Sequence, residues 1–358
     1  MNKFLVGSFA IEVKNARLNG SSKDAEKSNT SLENISYTKK ISSGRNTFPY
    51  MSTQKTKYCI KQNCNIPISV IKQNSTTEAL SEGNPYKNYD EDVMGFMIAQ
   101  NSEIDQEEFN TLSELEQKGY TKSGKGKNVK YKKNITKKRR SRLMMSPLQA
   151  IGHTKIHTEF CTKMTDIIVK KDIPNNNLIY SKEVYSAIMS SGFCLDVDNI
   201  GIYSVSEDAS GFRDYAPQEV EGLNYNIKNG KFELPYEEKK KRIIATIKGI
   251  EYLHTFSCQN NNYEDINAKF IILCEYSIGN AVFNNIFRNN ELNIDYLIEA
   301  IKENEEFRLS NIYIGVRTGF MESLKEDLEN EMARNGMNDY VKIGSVGEII
   351  DSYIVDRL

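Results

Sequence analysis

Residues 4–13 read FLVGSFAIEV. The run is apolar, carries β-branched and aromatic side chains, and is short, which fits a strand buried in the centre of a sheet. A signal peptide is the competing reading. Glu12 interrupts the apolar stretch and no small-residue cleavage site follows it, so a first strand is expected. No stretch of the chain reaches the apolar length that spans a membrane.

The rest of the fold is read outward from this strand. Ser52 is placed to cap a helix running to about Gln62. GFCLDVDNIGIYSV (192–205) reads as two strands or a hairpin turning at Asp198-Asn199. Residues 237–257 set Ile243, Ile244, Ile247, Ile250 and Leu253 on one helical stripe. AKFIILCEY (268–276) is a second buried strand. Further helices are expected at 293–306, 321–335 and 346–356, with a strand at 311–316. Short helices are expected from Asp90 and over 105–117. Residues 14–47, 74–90 and 206–236 read as polar loops. With the insertions removed, the order is β-α-β-β-α-β, an α+β ferredoxin-like core of the kind RNA-recognition modules also use.

Charge is segregated along this frame. The chain has a net charge of −1, yet residues 117–158 hold thirteen Lys/Arg and no Asp or Glu, which leaves −14 on the remainder. At the centre of this segment is VKYKKNITKKRRSRLMMSPLQ (129–149). Such segregation creates a local positive field suited to a polyanion. A solvated loop is the bland alternative. Lys130, Lys132, Lys133, Lys137, Lys138, Arg139, Arg140 and Arg142 can neutralise phosphates, and Tyr131 among them can stack on a base.

Other chemistries find little support. GYTKSGK (119–125) nearly spells a phosphate-binding loop, but Gly126 replaces the hydroxyl residue and no strand precedes it. His153 and His157 lack a third ligand at metal spacing other than Cys161. Asp90-Glu91-Asp92 reads as helix N-terminal charge ahead of a metal cluster. Asp196 and Asp198 alternate on a strand, so they read as a solvated face, with acid–base work the alternative. Six cysteines are scattered without a CxxC pair, as reduced thiols of a cytoplasmic protein would be.

Several stretches taken together carry a resemblance. They are FLVGSFAIEV and LNG within 4–20, GRNTFPYMSTQ (44–54), DEDVMGFM (90–97), RSRLMMSPLQAIG (140–152), and FCLDVDNIGIYS (193–204) followed by the KRIIATIKGIEYL helix. Their order and spacing resemble the CRISPR-associated DevR autoregulator family of the RAMP superfamily. That family supplies the crRNA-binding backbone subunit of type I-B Cascade. The resemblance implies an RRM-like palm (1–75, 166–206 and 237–358), an inserted finger domain (76–165) and a thumb loop (207–236). It implies crRNA, target DNA, copies of the chain in a helical filament, other Cascade subunits and an effector nuclease-helicase as partners. It implies no cofactor and no catalysis. A metal-dependent RNase of the type III backbone kind, using Asp196 or Asp198, is the alternative. A duplex-binding autoregulator is a third reading, and no helix-turn-helix supports it.

Carried onto this chain, the resemblance makes Asn19, Gly20, Arg45, Ser52, Gln54, Lys55 and Lys57 RNA-binding, around a helix N-terminus that receives phosphate. It adds Lys137, Lys138, Arg139, Arg140, Arg142 and Ser146 from the fingers, with Met144 and Met145 packing on bases or in the core. The expected thumb is rich in acids, so its contacts would come through Phe212, Arg213 or backbone.

Overall fold

The computed structural model describes residues 2–19, 35–73, 79–98, 101–112, 117, 120–124, 129–134, 136–163, 178–206, 213–215, 228–255 and 262–358. Gly20 and Phe212 lie outside the described residues. The chain divides into two compact units. One comprises residues 1–65, 144–198 and 244–358; the other comprises 66–143 and 199–243.

The first unit is a mixed α+β body around a central sheet. Strand Phe4–Ala16 lies in its middle and is buried from Leu5 to Ile11. It pairs antiparallel with the long strand Leu178–Asp196 on one side and with Phe270–Tyr276 on the other. Leu148–Ala150 continues the sheet beyond the long strand. The order of these four strands is that of a ferredoxin-like core. Gly7 has a steric reason in this sheet: a Cβ there would meet Ile272 O at 2.4 Å and the Phe193 ring at 2.6 Å.

Helix Thr53–Gln62 follows strand Asn46–Met51, and Ser52 caps it by accepting from the Lys55 amide at 3.4 Å. Helix Tyr236–Glu251 lays its C-terminal half against it. Gly249 permits this approach, because a Cβ would come within 2.8 Å of Ile60 Cγ2. Asn63 Nδ2 donates to Tyr252 O at 3.0 Å and Cys64 Sγ to Ala245 O at 3.2 Å. The C-terminal region adds strand Ile312–Val316 and helices Ile294–Glu303, Leu324–Arg334 and Val346–Arg357. Leu297, Ile301, Leu328 and Met332 from these helices share one core with Val6, Phe270 and Ile272. Burying such side chains contributes about 1.5–3 kcal/mol each, so these helices are integral to the unit.

Two features differ from the sequence reading. Val341–Gly344 forms an additional edge strand, parallel to Ile312–Val316. Within the expected loop 14–47, Lys40–Ser43 and Asn46–Met51 form a hairpin that turns at Gly44-Arg45, where Gly44 has φ +59°. Of the two readings of 192–205, two separate strands are present and a hairpin at Asp198-Asn199 is not. Residues Val197–Asn199 make a short 3-10 turn, Gly201 takes φ +67°, and Ile202–Ser204 pairs with Lys231–Glu233.

The second unit is built from short pieces. Phe96–Ile98 pairs antiparallel with Lys137–Arg139. Asn101–Asp105, Lys130–Asn134 and Thr121–Ser123 form a three-stranded sheet. Phe109 stacks on Tyr131 with ring centroids 3.7 Å apart, and this anchors helix Gln106–Thr111 on that sheet. A separate cluster of Tyr203, Tyr215, Phe232 and Leu234 holds residues 213–215 beside the Ile202–Ser204 pair, with Tyr86 packed against it. Among the described residues, no helix is long and apolar enough to cross a membrane.

Candidate nucleic-acid interface

In the second unit, Lys137–Arg139 of the KKRRSR run form a strand, so their side chains alternate. Lys137 and Arg139 are buried, Lys138 is half-buried and Arg140 is exposed. Lys137 Nζ donates to Gly83 O at 3.3 Å.

Arg139 is enclosed completely. Its Nε donates to Asp92 O at 2.9 Å, Nη1 to Ile202 O at 2.9 Å, and Nη2 to Asn199 O at 3.1 Å and to the Asp92 carboxylate. Nη1 also pairs with Asp214 Oδ1 at 2.9 Å. A guanidinium has five N–H donors, and these five contacts occupy them. Burial alone disfavours the charge, but Asp92 and Asp214 more than offset it and hold Arg139 firmly protonated. Asp92 is shared: it also pairs with Arg242 Nη1 at 2.6 Å and accepts from the Gly201 amide at 3.1 Å. Arg242 in turn donates to the carbonyls of Pro85 and Tyr86. Arg139 is therefore committed to holding the 199–202 turn and Asp214 in place, which differs from its expected role as a phosphate ligand.

The acidic triplet before it has the same purpose. Asp90 accepts from Ser69 N and Oγ, both at 2.7 Å. Glu91 accepts from the amides of Gly83 at 2.6 Å and Asn84 at 2.7 Å. All three carboxylates stand in the first turn of helix Tyr89–Val93, as the sequence reading has them, and they are buried acceptors that fold loops onto it.

On this scaffold sits a cavity of about 230 Å³ whose wall carries Lys138, Arg140, Arg142, Arg213 and Lys231. Backbone bonds set the cations in place. Lys138 N donates to Arg213 O at 3.1 Å and Arg142 N to Val93 O at 2.8 Å. Asp214 N donates to Ser204 O at 2.8 Å, and Asp214 Oδ2 accepts from Ser204 N at 2.7 Å. Asn199, Ser204 and Asp214 complete the polar lining. Among the described residues of the wall, Asp214 is the one acidic side chain, and it pairs with Arg139. The cationic side chains of this wall are of the type that binds a phosphate.

Asn199, Ser204 and Lys231 of this pocket were not legible in the sequence. They come from segments distant in the chain, and only the pairing of Ile202–Ser204 with Lys231–Glu233 assembles them.

The other expected residues lie in the first unit. Arg45 is exposed at the tip of the hairpin and Gln54 is exposed in the first helical turn. Lys55 lies 5.1 Å from the centre of the Tyr58 ring. Burial lowers the pKa of Lys57 to about 8. Asn19 is buried, and its side-chain amide donates to Tyr50 O. Ser146 is tied to the long strand: its amide donates to Gly192 O, and its hydroxyl accepts from Gly192 N, both at 2.9 Å. Met144 is exposed and Met145 half-buried. Thr53 Oγ1 contacts Met145 O at 3.5 Å, so the helix start and the 144–146 segment are neighbours.

The remaining chemistry is also located. Asp198 Oδ2 accepts from the Lys3 amide at 2.7 Å, and Asp196 lies opposite Phe4 at the strand end. His153 Nδ1 accepts from the Thr47 amide at 3.0 Å, and His157 lies on strand Ile156–Lys163 rather than on a helix. Among the described residues, no group of three or more His, Cys, Asp or Glu is placed to hold a metal.

Comparison with known proteins follows the same direction. No protein of curated function matches the chain in sequence. Two solved structures share its fold at low identity. A chain of a "CRISPR RNA-guided surveillance complex, pre-nicking" aligns with TM-score 0.56 at 6% identity, covering 99% of this chain and 100% of its own. A chain of a "CRISPR RNA-guided surveillance complex" aligns with TM-score 0.50 at 8% identity over the same shares. Such identities speak for the fold alone. In sequence, the family model for the CRISPR-associated negative auto-regulator DevR/Csa2 matches residues 50–264, more than half of the chain, and the chain belongs to that family.

Proposed function

We propose that the chain is a non-catalytic, crRNA-binding subunit that stacks on copies of itself along the guide to form the backbone of a type I-B Cascade. The observation that carries this reading is the pocket of five cations set over a scaffold of Arg139, Arg242, Asp92 and Asp214, whose charges cancel. Phosphate contacts position a nucleic acid without reading its sequence, so such a site tolerates any guide and leaves bases free to pair. Family membership supports the same assignment.

In this reading, residues 1–75, 166–206 and 237–358 act as palm, 76–165 as fingers and 207–236 as thumb. Lys138, Arg140, Arg142 and Arg213 hold the guide backbone from the second unit. Arg45, Ser52, Gln54, Lys55 and Lys57, beside Asn19 and Ser146, form the corresponding surface of the first. The three-stranded sheet with Lys122, Lys130, Lys132 and Lys133 reaches target DNA. Other Cascade subunits and an effector nuclease-helicase complete the cytoplasmic assembly.

The test is a titration of single-stranded RNA into protein stripped of nucleic acid, followed by size and by gel in Mg²⁺. Sequence-tolerant, salt-sensitive binding with growth in size and intact RNA is expected. Regularly spaced cuts in a complementary RNA would point instead to the RNase reading through Asp196 or Asp198. Absence of binding would overturn the proposal.

A further inference from the structure

Resting on the RNA-binding reading above, we infer that the 230 Å³ pocket of the second unit recognises one ribose-phosphate unit and selects RNA over DNA through the ribose 2′-hydroxyl. Three features lead there. Size is the first. Pockets that enclose a whole small molecule run from roughly 300 Å³ upward. This one is smaller and suits a sugar with its phosphate, leaving the base outside.

Charge is the second. Lys138, Arg140, Arg142, Arg213 and Lys231 satisfy the phosphate. A phosphodiester offers acceptors only, and cations alone would serve RNA and DNA equally.

The third feature is the acceptor set in the same wall. Asp214 Oδ1 is taken by Arg139 Nη1 at 2.9 Å, and Oδ2 by the Ser204 amide at 2.7 Å. Each carboxylate oxygen can accept a further bond. The Asp214 side chain keeps 8% of its surface exposed and the residue lines the cavity. The Ser204 hydroxyl donates to Ser206 O, which orients its lone pairs as acceptors. Arg139 offsets the Asp214 charge, and the acceptor capacity left on that carboxylate suits a ligand that brings a donor as well as a phosphate. In the backbone of RNA that donor is the 2′-hydroxyl, and DNA lacks it. Arg139 holds this acceptor in position, and that gives its burial a consequence for specificity.

The experiment uses the full chain stripped of nucleic acid and four single strands of one sequence: RNA, DNA, 2′-fluoro RNA and 2′-O-methyl RNA. The 2′-fluoro strand keeps an RNA-like sugar but has no donor. RNA is expected to bind about tenfold or more tightly than the other three, as befits a hydrogen bond to a charged acceptor. Asp214→Asn, if folded by circular dichroism, and Ser204→Ala should each narrow the gap between RNA and 2′-fluoro RNA. Equal binding of RNA and 2′-fluoro RNA by the unaltered chain overturns the inference and leaves the proposed function standing. A gap that neither folded variant narrows also overturns it. Failure to bind any strand overturns the proposed function itself.

Discussion

Arg139 and Asp92 form an ion pair in which neither side chain is exposed to solvent, and Asp92 shares its second oxygen with Arg242. Removing one partner of a buried pair leaves an uncompensated charge, at a cost of about 3–5 kcal/mol. Arg139→Ala should therefore lower the stability of the second unit by that order. Arg140→Ala, at an exposed neighbour, should stay within about 0.5 kcal/mol. Urea unfolding of both variants checks this. Equal, small effects would show that Arg139 is not the clamp described.

The cations of the pocket should act on affinity in the opposite pattern. Arg140→Ala and Arg142→Ala should each weaken RNA binding in the same proportion for any sequence. Each should also reduce the slope of log affinity against log salt by roughly 0.7, the value for one lost single-strand phosphate contact. A titration series from low to moderate salt measures it. An unchanged slope in both variants would place the RNA elsewhere.

Lys57 gives a pH dependence whose sign is fixed. Burial lowers its folded pKa from 10.5 to about 8. Between those values the unfolded chain holds the proton and the folded chain has lost it, so this residue's contribution to stability rises with pH. Below about 8 both states are protonated and the folded chain carries the full burial cost. Lys57→Met should thus be more stable than the unaltered chain at pH 7, by roughly 1–2 kcal/mol after discounting for partial exposure. The advantage should shrink toward pH 10. Thermal melts of the pair across pH 7–10 test this, and a gap that widens with pH would contradict it.

Thiol reactivity should follow burial. Burial, with the nearby Asp196 charge, pushes Cys194 up to about 12, and burial pushes Cys274 up to about 11. Thiolate is the reactive form, so both should resist iodoacetamide at pH 8 in the native protein. Among the described thiols, the half-buried Cys64 and Cys161 should be alkylated before Cys194 and Cys274. Mass spectrometry of partially labelled protein reads the order. Early labelling of Cys194 or Cys274 would mean that the central sheet opens readily.

The sequence showed much of the sheet and helices because local signals and tertiary packing agree there. Phe4–Ala16 and Phe270–Tyr276 are buried apolar runs, and Ser52 marks its helix start by a cap. Val341–Gly344 was missed because it is four residues long and its partner, Ile312–Val316, lies across a helix. The KKRRSR run was legible as positive charge but not as a strand. Nothing local shows that Arg139 turns inward, since its partners Asp92 and Asp214 lie far away in the chain. For the same reason the pocket wall was half visible. Lys138, Arg140, Arg142 and Arg213 stand in the basic and thumb motifs, while Asn199, Ser204 and Lys231 arrive through strand pairing.

The proposed function requires assembly of the chain on RNA. Its most direct test is the absorbance ratio and size of the purified protein, with extraction of any bound nucleic acid, before and after RNase. Co-purifying RNA in a large assembly that shrinks on RNase treatment is expected. A nucleic-acid-free monomer that also ignores added single-stranded RNA would contradict it.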